Sequence, residues 1–511
     1  METSGAGKAG DIIVNTPSLS ISDTARITAT ATKTATNTEG GGSITLNASK
    51  IDLAGIVGVF AETQGEAPAG TLKLNPYQNQ PDLDITLFPN STISASTSAS
   101  GKGGDLILAA PETINVAGQG KLTVESTGTG EAGNIQITTQ NLNINDGVKI
   151  SASNNSTGKG GNIQVNANNL IANNGAQLLT ATFGNAPAGN INLEIRDQIS
   201  LSGTDTGLFA NTEKGSIGYG GNINVITNDF SLSNGGGVST SSEGQGKAGD
   251  IHINSGSTAL DNQGFIAATS NSGDGGNINL TVDDLLLLRG GSEISTTAGT
   301  DRRGGNGGNI IINAPSGFIV AVPGENSDIS ANAFSGAGGR VNIKANGIYG
   351  IKFRESPTLL SDITASSEFG TQGTVELNTP DVDPNSGLVE LPTVAVDTQI
   401  AQGCYSPGYA QNSFIITGRG GLPPNPREAF SSNIVRPEWA TLDPSNDINS
   451  QQTIKEKPPI PTPPAPIVEA TGWGINTKGE IVLTANASTG TPHKNWQQSP
   501  VTCSSAKSAD N

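Results

Sequence analysis

The residue types that could do chemistry are few in this chain, and their spacing keeps them apart. It has 2 histidines, His252 and His493, too far apart in sequence for a multi-His metal site. His252 lies between Ile251 and Ile253, the outward position of an alternating strand, where a histidine is solvated. Glycoside cleavage needs two carboxyls at a defined separation. Here the 45 acidic residues are scattered and rarely fall at equivalent places. Asp283-Asp284 is an isolated pair that reads as a turn, and no G-G-x-G-x-D array offers a Ca²⁺ site. Serines are abundant, but none can be argued into a Ser/His/Asp arrangement. The string Gly304-Gly305-Asn306-Gly307-Gly308-Asn309 resembles a phosphate loop only if a helix follows, and the pattern predicts a turn. Arg419-Gly420-Gly421 is a single copy without repeated basic neighbours. No residue is therefore assigned a catalytic, cofactor-binding or metal-ligating role.

The elements around these residues are set by a repeated phrase: glycine, a small polar residue, then a β-branched or leucyl residue. It begins at Gly10-Asp11-Ile12 and Gly42-Ser43-Ile44. It runs through Gly161-Asn162-Ile163 to Gly373-Thr374-Val375, giving 13 anchors 27 to 34 residues apart. A period in this range marks a solenoid, whose repeats complete a core only by stacking.

One period shows the strand pattern. Ile135 and Ile137 alternate with polar residues, as do Leu142 and Ile144, then Val148, Ile150 and Ala152. Such alternation buries one face and solvates the other. The runs are separated by Thr139-Gln140-Asn141, by Asn145-Asp146-Gly147 and by a Gly/Ser/Thr/Asn stretch. Asn173-Asn174-Gly175 repeats the second turn, where Asx and Gly tolerate positive φ. Three strands and three turns per period predict a triangular coil. The fold expected is all-β, a right-handed parallel β-helix. Thirteen coils would make a rod of roughly 60 Å, with strands paired to their equivalents above and below. Asn or Asp follows nine of the anchors (Asn at 134, 162, 190, 222, 277 and 309, Asp at 11, 105 and 250). These side chains either hydrogen-bond as a ladder up the rod or simply fit a turn.

Composition agrees with a thin rod. Hydrophobic residues make up 34%, little for a globular core of 511 residues but enough for one inner layer. A net charge of −18 disfavours nucleic acid as a partner. No run of 18 apolar residues predicts a membrane-spanning helix. The first residues carry no basic-then-apolar signal segment, and Gly10 already lies in the repeat, so the chain reads as the C-terminal portion of a longer protein or as the product of a truncated gene. Cys404 and Cys503 lie outside the repeats. A disulfide between them would close a loop of about 100 residues in an extracytoplasmic setting, the alternative being two free thiols.

The expected domains are repeats over 1–395, an irregular segment over 396–450, a Pro-rich linker over 451–468, and a β-hairpin with a polar tail over 469–511. This C-terminal region is expected to be Pro-rich and partly disordered. Val389-Glu390-Leu391-Pro392 reads as a last edge strand. Residues 458–466 hold six prolines in nine, a stiff extended spacer. Gly472 to Ala485 reads as the hairpin.

The repeat, as in Gly-Gly-Asn-Ile-Gln-Val-Asn-Ala over 160–167, resembles that of large cyanobacterial exoproteins. These are filamentous-haemagglutinin-like proteins of the two-partner secretion class, often called S-layer-family proteins. Thr417-Gly418-Arg419-Gly420-Gly421-Leu422-Pro423-Pro424-Asn425-Pro426, with Cys404 and Glu428, is similar to that family's post-repeat segment, and Gly472-Trp473 to its final hairpin. The resemblance implies a secreted or cell-surface, non-enzymatic rod or adhesin. Its implied partners are a separate outer-membrane transporter and surface glycans or cells. The N-terminal secretion domain of such proteins is missing here. The alternative class is a polysaccharide-degrading β-helix enzyme, which should show a cleft with convergent carboxylates on one face. A toxin reading would need a distinct C-terminal globular domain.

Overall fold

A computed structural model describes residues 1–36 and 40–380, and the backbone of 472–475 and 481–484. The chain divides into two units, residues 1–383 and 384–511. Within the first, the strands stack in parallel as an all-β solenoid of about 12 turns, with no helix among the described residues. The thirteenth anchor opens a turn of which only the strand Thr374–Asn378 is described, so 13 anchors give one complete turn fewer than expected. At about 4.8 Å per turn the stack rises about 55 Å.

The anchor residues form one inner column. Ile12 pairs with Ile44, Leu72, Leu106, Ile135, Ile163 and Ile191 in succession. The column continues through Ile223, Ile251, Ile278, Ile310, Val341 and Val375. From Ile44 to Val341 these side chains are at most 1% exposed. Ile12 and Val375, at the ends, are partly buried. Full burial of each such side chain contributes about 1.5–3 kcal/mol of transfer free energy. The repeat therefore stabilises the stack once per turn.

The expected triangle of three separate strands needs correction. The first and second strands of each period belong to one sheet of 18 strands; the 12 short third strands, with Lys352–Phe353 added at the edge, make a second of 13. The strands Ile135–Thr138 and Asn141–Ile144 are still distinct, but the next turn carries both in one strand, Ile163–Asn173. It pairs with both strands below. The six turns above also run through, in strands of 10 to 13 residues with a local register shift in most pairings. The chain passes the corner by a bulge, not by a turn.

Two corners are defined by steric detail. At the Asx-Gly corner, Asp146 and Gly147 have φ of 65° and 87°, and Asn174 and Gly175 have 56° and 85°, as their residue types predict. The anchor glycines answer to a different demand. A Cβ on Gly161 would stand 1.6 Å from the carbonyl oxygen of Gly133, and one on Gly133 would stand 1.8 Å from that of Gly104. The backbone of one turn lies directly on that of the next, and only glycine fits.

In the second unit, Gly472–Ile475 and Ile481–Thr484 pair antiparallel with Gly472 opposite Thr484, the hairpin expected there. The edge strand at Val389, the Pro-rich spacer, His493, Cys404, Cys503 and the segment Thr417–Pro426 lie outside the described residues.

Candidate functional site

The solenoid offers functional groups only where side chains point outward, and three such surfaces stand out. The first is the Asx corner after each anchor glycine. Asn134 Oδ1 accepts the backbone N–H of Asn162 at 3.0 Å, and Asn162 Oδ1 accepts that of Asn190 at 2.9 Å. Asn190 does the same for Asn222 at 2.8 Å, Asn222 for Asp250 at 2.9 Å and Asp250 for Asn277 at 2.8 Å. The ladder reading is thus the one the geometry supports, with side-chain oxygen and main-chain N–H as its usual rungs. That is why Asp substitutes for Asn at 105 and 250: the corner asks for an acceptor. Its role is to fasten turns together.

The second surface is the outer face of the long strands. One column there reads Gln136, Gln164, Asn192, Asn224, His252 and Asn279 on consecutive turns. Asn224 donates to Asn192 Oδ1 at 2.7 Å. A second column, two residues on, includes Thr138, Asn166, Asn254 and Asn313. In the first column an amide thus recurs at about 4.8 Å per turn, broken only by His252, while the second also holds Glu194, Thr281 and the exposed Ile226.

The third surface is the outer face of the short strands. Here the scattered acids turn out to fall at equivalent positions. Glu293 pairs in register with Asp328, and Asp362 occupies the same place one turn on. Ser330 donates its hydroxyl to Glu293 at 3.2 Å. Asp328 accepts the backbone N–H of Asp362 at 2.8 Å. Asp362 is buried, ion-paired with Arg354, and accepts the N–H of Thr358 at 2.6 Å. Burial, then the neighbouring Glu293 charge, raise the Asp328 pKa to about 6, against the pull of Arg354. Beside the column runs an open furrow of about 310 Å³, lined by Phe265, Thr269, Glu293, Ser295, Thr297 and Thr300. A second of about 290 Å³ adjoins it over Thr297, Arg302, Phe334 and Glu368.

Sequence reading missed this column because insertions break the period. Glu293 to Asp328 is 35 residues and Asp328 to Asp362 is 34, beyond the common spacing of 28. The available signal was a triplet: Glu293-Ile294-Ser295, Asp328-Ile329-Ser330 and Asp362-Ile363-Thr364.

The other residues singled out fall as follows. His252 is exposed between Asn224 and Asn279, a solvated position as expected. Asp283-Asp284 is not a turn between elements: the pair lies inside the strand Ile278–Leu288, exposed at its register shift. The string 304–309 leads into the strand Asn309–Ala321. Its Asn306 N–H is held by Asp274 Oδ1 at 2.8 Å, and Gly308 packs on the Gly276 carbonyl. The described residues hold no group of three metal-ligating side chains placed for an ion.

Fold and surfaces together define a parallel β-solenoid with polar, ribbed faces. No protein-family model matches the chain, and neither a curated protein nor a solved structure matches it.

Proposed function

We propose that this chain is the rod of a secreted surface adhesin, exported by a separate outer-membrane transporter and making multivalent contacts with surface glycans or cells. The observation that carries the reading is the amide face: Gln136, Gln164, Asn192, Asn224, His252 and Asn279 present hydrogen-bonding side chains at a fixed pitch. Contacts of this kind are weak singly and become useful through repetition. The resemblance of the repeat and of Thr417–Pro426 to two-partner exoproteins supports the same reading.

One observation favours a second reading, a polysaccharide-cleaving enzyme. Carboxylates on adjacent turns, about 4.8 Å apart by strand spacing, approach the ~5–5.5 Å that retaining glycosidases use. Glu293 lines a furrow, its in-register neighbour is Asp328, and Asp328 holds its proton more tightly than a free carboxyl.

A single experiment separates the two. The full chain, the triple variant Asn192→Ala/Asn224→Ala/Asn279→Ala, and Glu293→Gln are each tested on a glycan array and for release of reducing ends from soluble polysaccharides. The adhesin reading expects array retention that drops at least about tenfold in the triple variant, with no reducing ends from any protein. Retention unchanged in the triple variant would defeat it. Release that stops in Glu293→Gln would establish the enzyme instead.

A further inference from the structure

The face built by the short third strands carries its charge in blocks. Its leading outward position holds Lys121 and Lys149 on consecutive turns, both exposed. Five turns above Lys149 the same position holds Glu293, followed by Asp328. The four turns between carry Gln177, Gly207, Gly237 and Phe265 there, with no charge. This order is symmetric about the midpoint between Gly207 and Gly237. Lys149 and Glu293 are equidistant from it, and so are Lys121 and Asp328.

We propose that this face pairs with the same face of a second copy, the two solenoid axes running antiparallel. A half-turn about the strand direction at that midpoint sets Lys149 opposite the partner's Glu293 and Lys121 opposite the partner's Asp328. Each contact then occurs twice, as a two-fold interface requires. A parallel arrangement sets lysine on lysine and acid on acid, so the charge order itself selects the antiparallel one.

The middle of the strip suits close approach. Gly207 and Gly237 have no side chains to obstruct it. The ring of Phe209 folds back over Gly207, and that of Phe265 over Gly237: a Cβ at either glycine would come within 3.1 Å or 2.5 Å of ring atoms. With Leu179 they leave a low, half-buried apolar centre between two charged ends. Apolar centre and charged rim is the anatomy of a protein interface.

The strip from Lys121 to Asp328 spans eight turns, about 34 Å. It is narrow, which places the pairing in the weak class of small interfaces. Glu213 and Glu243, each six residues past the leading position on adjacent turns, repel one another within a chain, and the half-turn brings each level with its counterpart in the second copy. They also keep the affinity low. The pairing covers the Glu293 furrow and leaves the amide face open, so it does not rest on the adhesin reading.

The test is sedimentation velocity of the full chain at about 100 μM, in low salt and in about 0.5 M NaCl. The expected result is a dimer in low salt that dissociates in high salt. K121E/K149E makes the strip all acidic and E293K/D328K makes it all basic. Each should weaken self-association at least about tenfold, and an equimolar mixture should pair. E293K alone, at an exposed position, gives a basic partner should the half-buried D328K disturb folding. A monomer in low salt, a K121E/K149E protein that still dimerises, or a mixture of folded variants that stays monomeric would each overturn the proposal.

Discussion

At the corner after each anchor glycine, the side chain's main duty is to present an oxygen. Asn162 Oδ1 takes the Asn190 N–H at 2.9 Å, and Asp250 Oδ1 serves Asn277 equally well. Asn162→Asp should therefore unfold near the wild-type denaturant midpoint. Asn162→Leu, which removes the acceptor, should lose about 1 kcal/mol in the same urea titration. Equal losses in both would show that the amide donor matters instead. Asp328 makes a different prediction. Burial and the Glu293 charge raise its folded pKa to about 6 from 3.8, so the folded state binds the proton more tightly. Its ionisation then opposes folding. The cost is absent below about pH 4, grows through the interval to pH 6 and is complete above it. Because the site is half exposed, the expected penalty at pH 7 is about 1 kcal/mol. Asp328→Asn should be more stable than wild type by that amount at pH 7, and the gap should close at pH 4. A gap independent of pH would remove the assignment. The Asx column was legible because its residues follow the glycines directly. The acid column was not, because the loops around 299–303 and 354–360 displace it from the common period.

At the scale of the strand, the inward and outward assignments follow from alternation alone. Ile163 is wholly buried and Gln164 exposed in the strand Ile163–Asn173. Ile163→Asp places an unpaired charge in a core one layer wide and should cost about 4 kcal/mol or more. Gln164→Asp should stay within about 0.5 kcal/mol of wild type. Limited proteolysis reads both, and comparable loss of resistance would mean the register is wrong. Strands, turns and the final hairpin were legible because burial with period two and Asx-Gly corners are written in residue types. The fusion of first and second strands was not. Ala167-Asn168-Asn169 keeps the same polar spacing whether the chain turns or bulges there, and packing against the turns above decides.

At the scale of the solenoid, contacts reach only one turn up or down. Stability should then scale with the number of turns. Fragments spanning 1–160, 1–220 and 1–307 should keep their β-sheet circular dichroism per residue, with thermal midpoints rising along the series. Collapse of every fragment to an unfolded chain would mean that the stack is one indivisible cooperative unit. Nothing in this expectation depends on the residues after 380.

The oxygens of the Asx corner also give the stack a direction in time. Each one, from Asn134 to Asn277, serves the N–H of the turn that comes later in the chain. A finished turn is thus a template with its acceptors already in place, and the next turn arrives carrying the donors. A chain emerging amino end first from a narrow passage would be captured one turn at a time. Each capture would bar its backward slip, and folding itself would ratchet the rod outward.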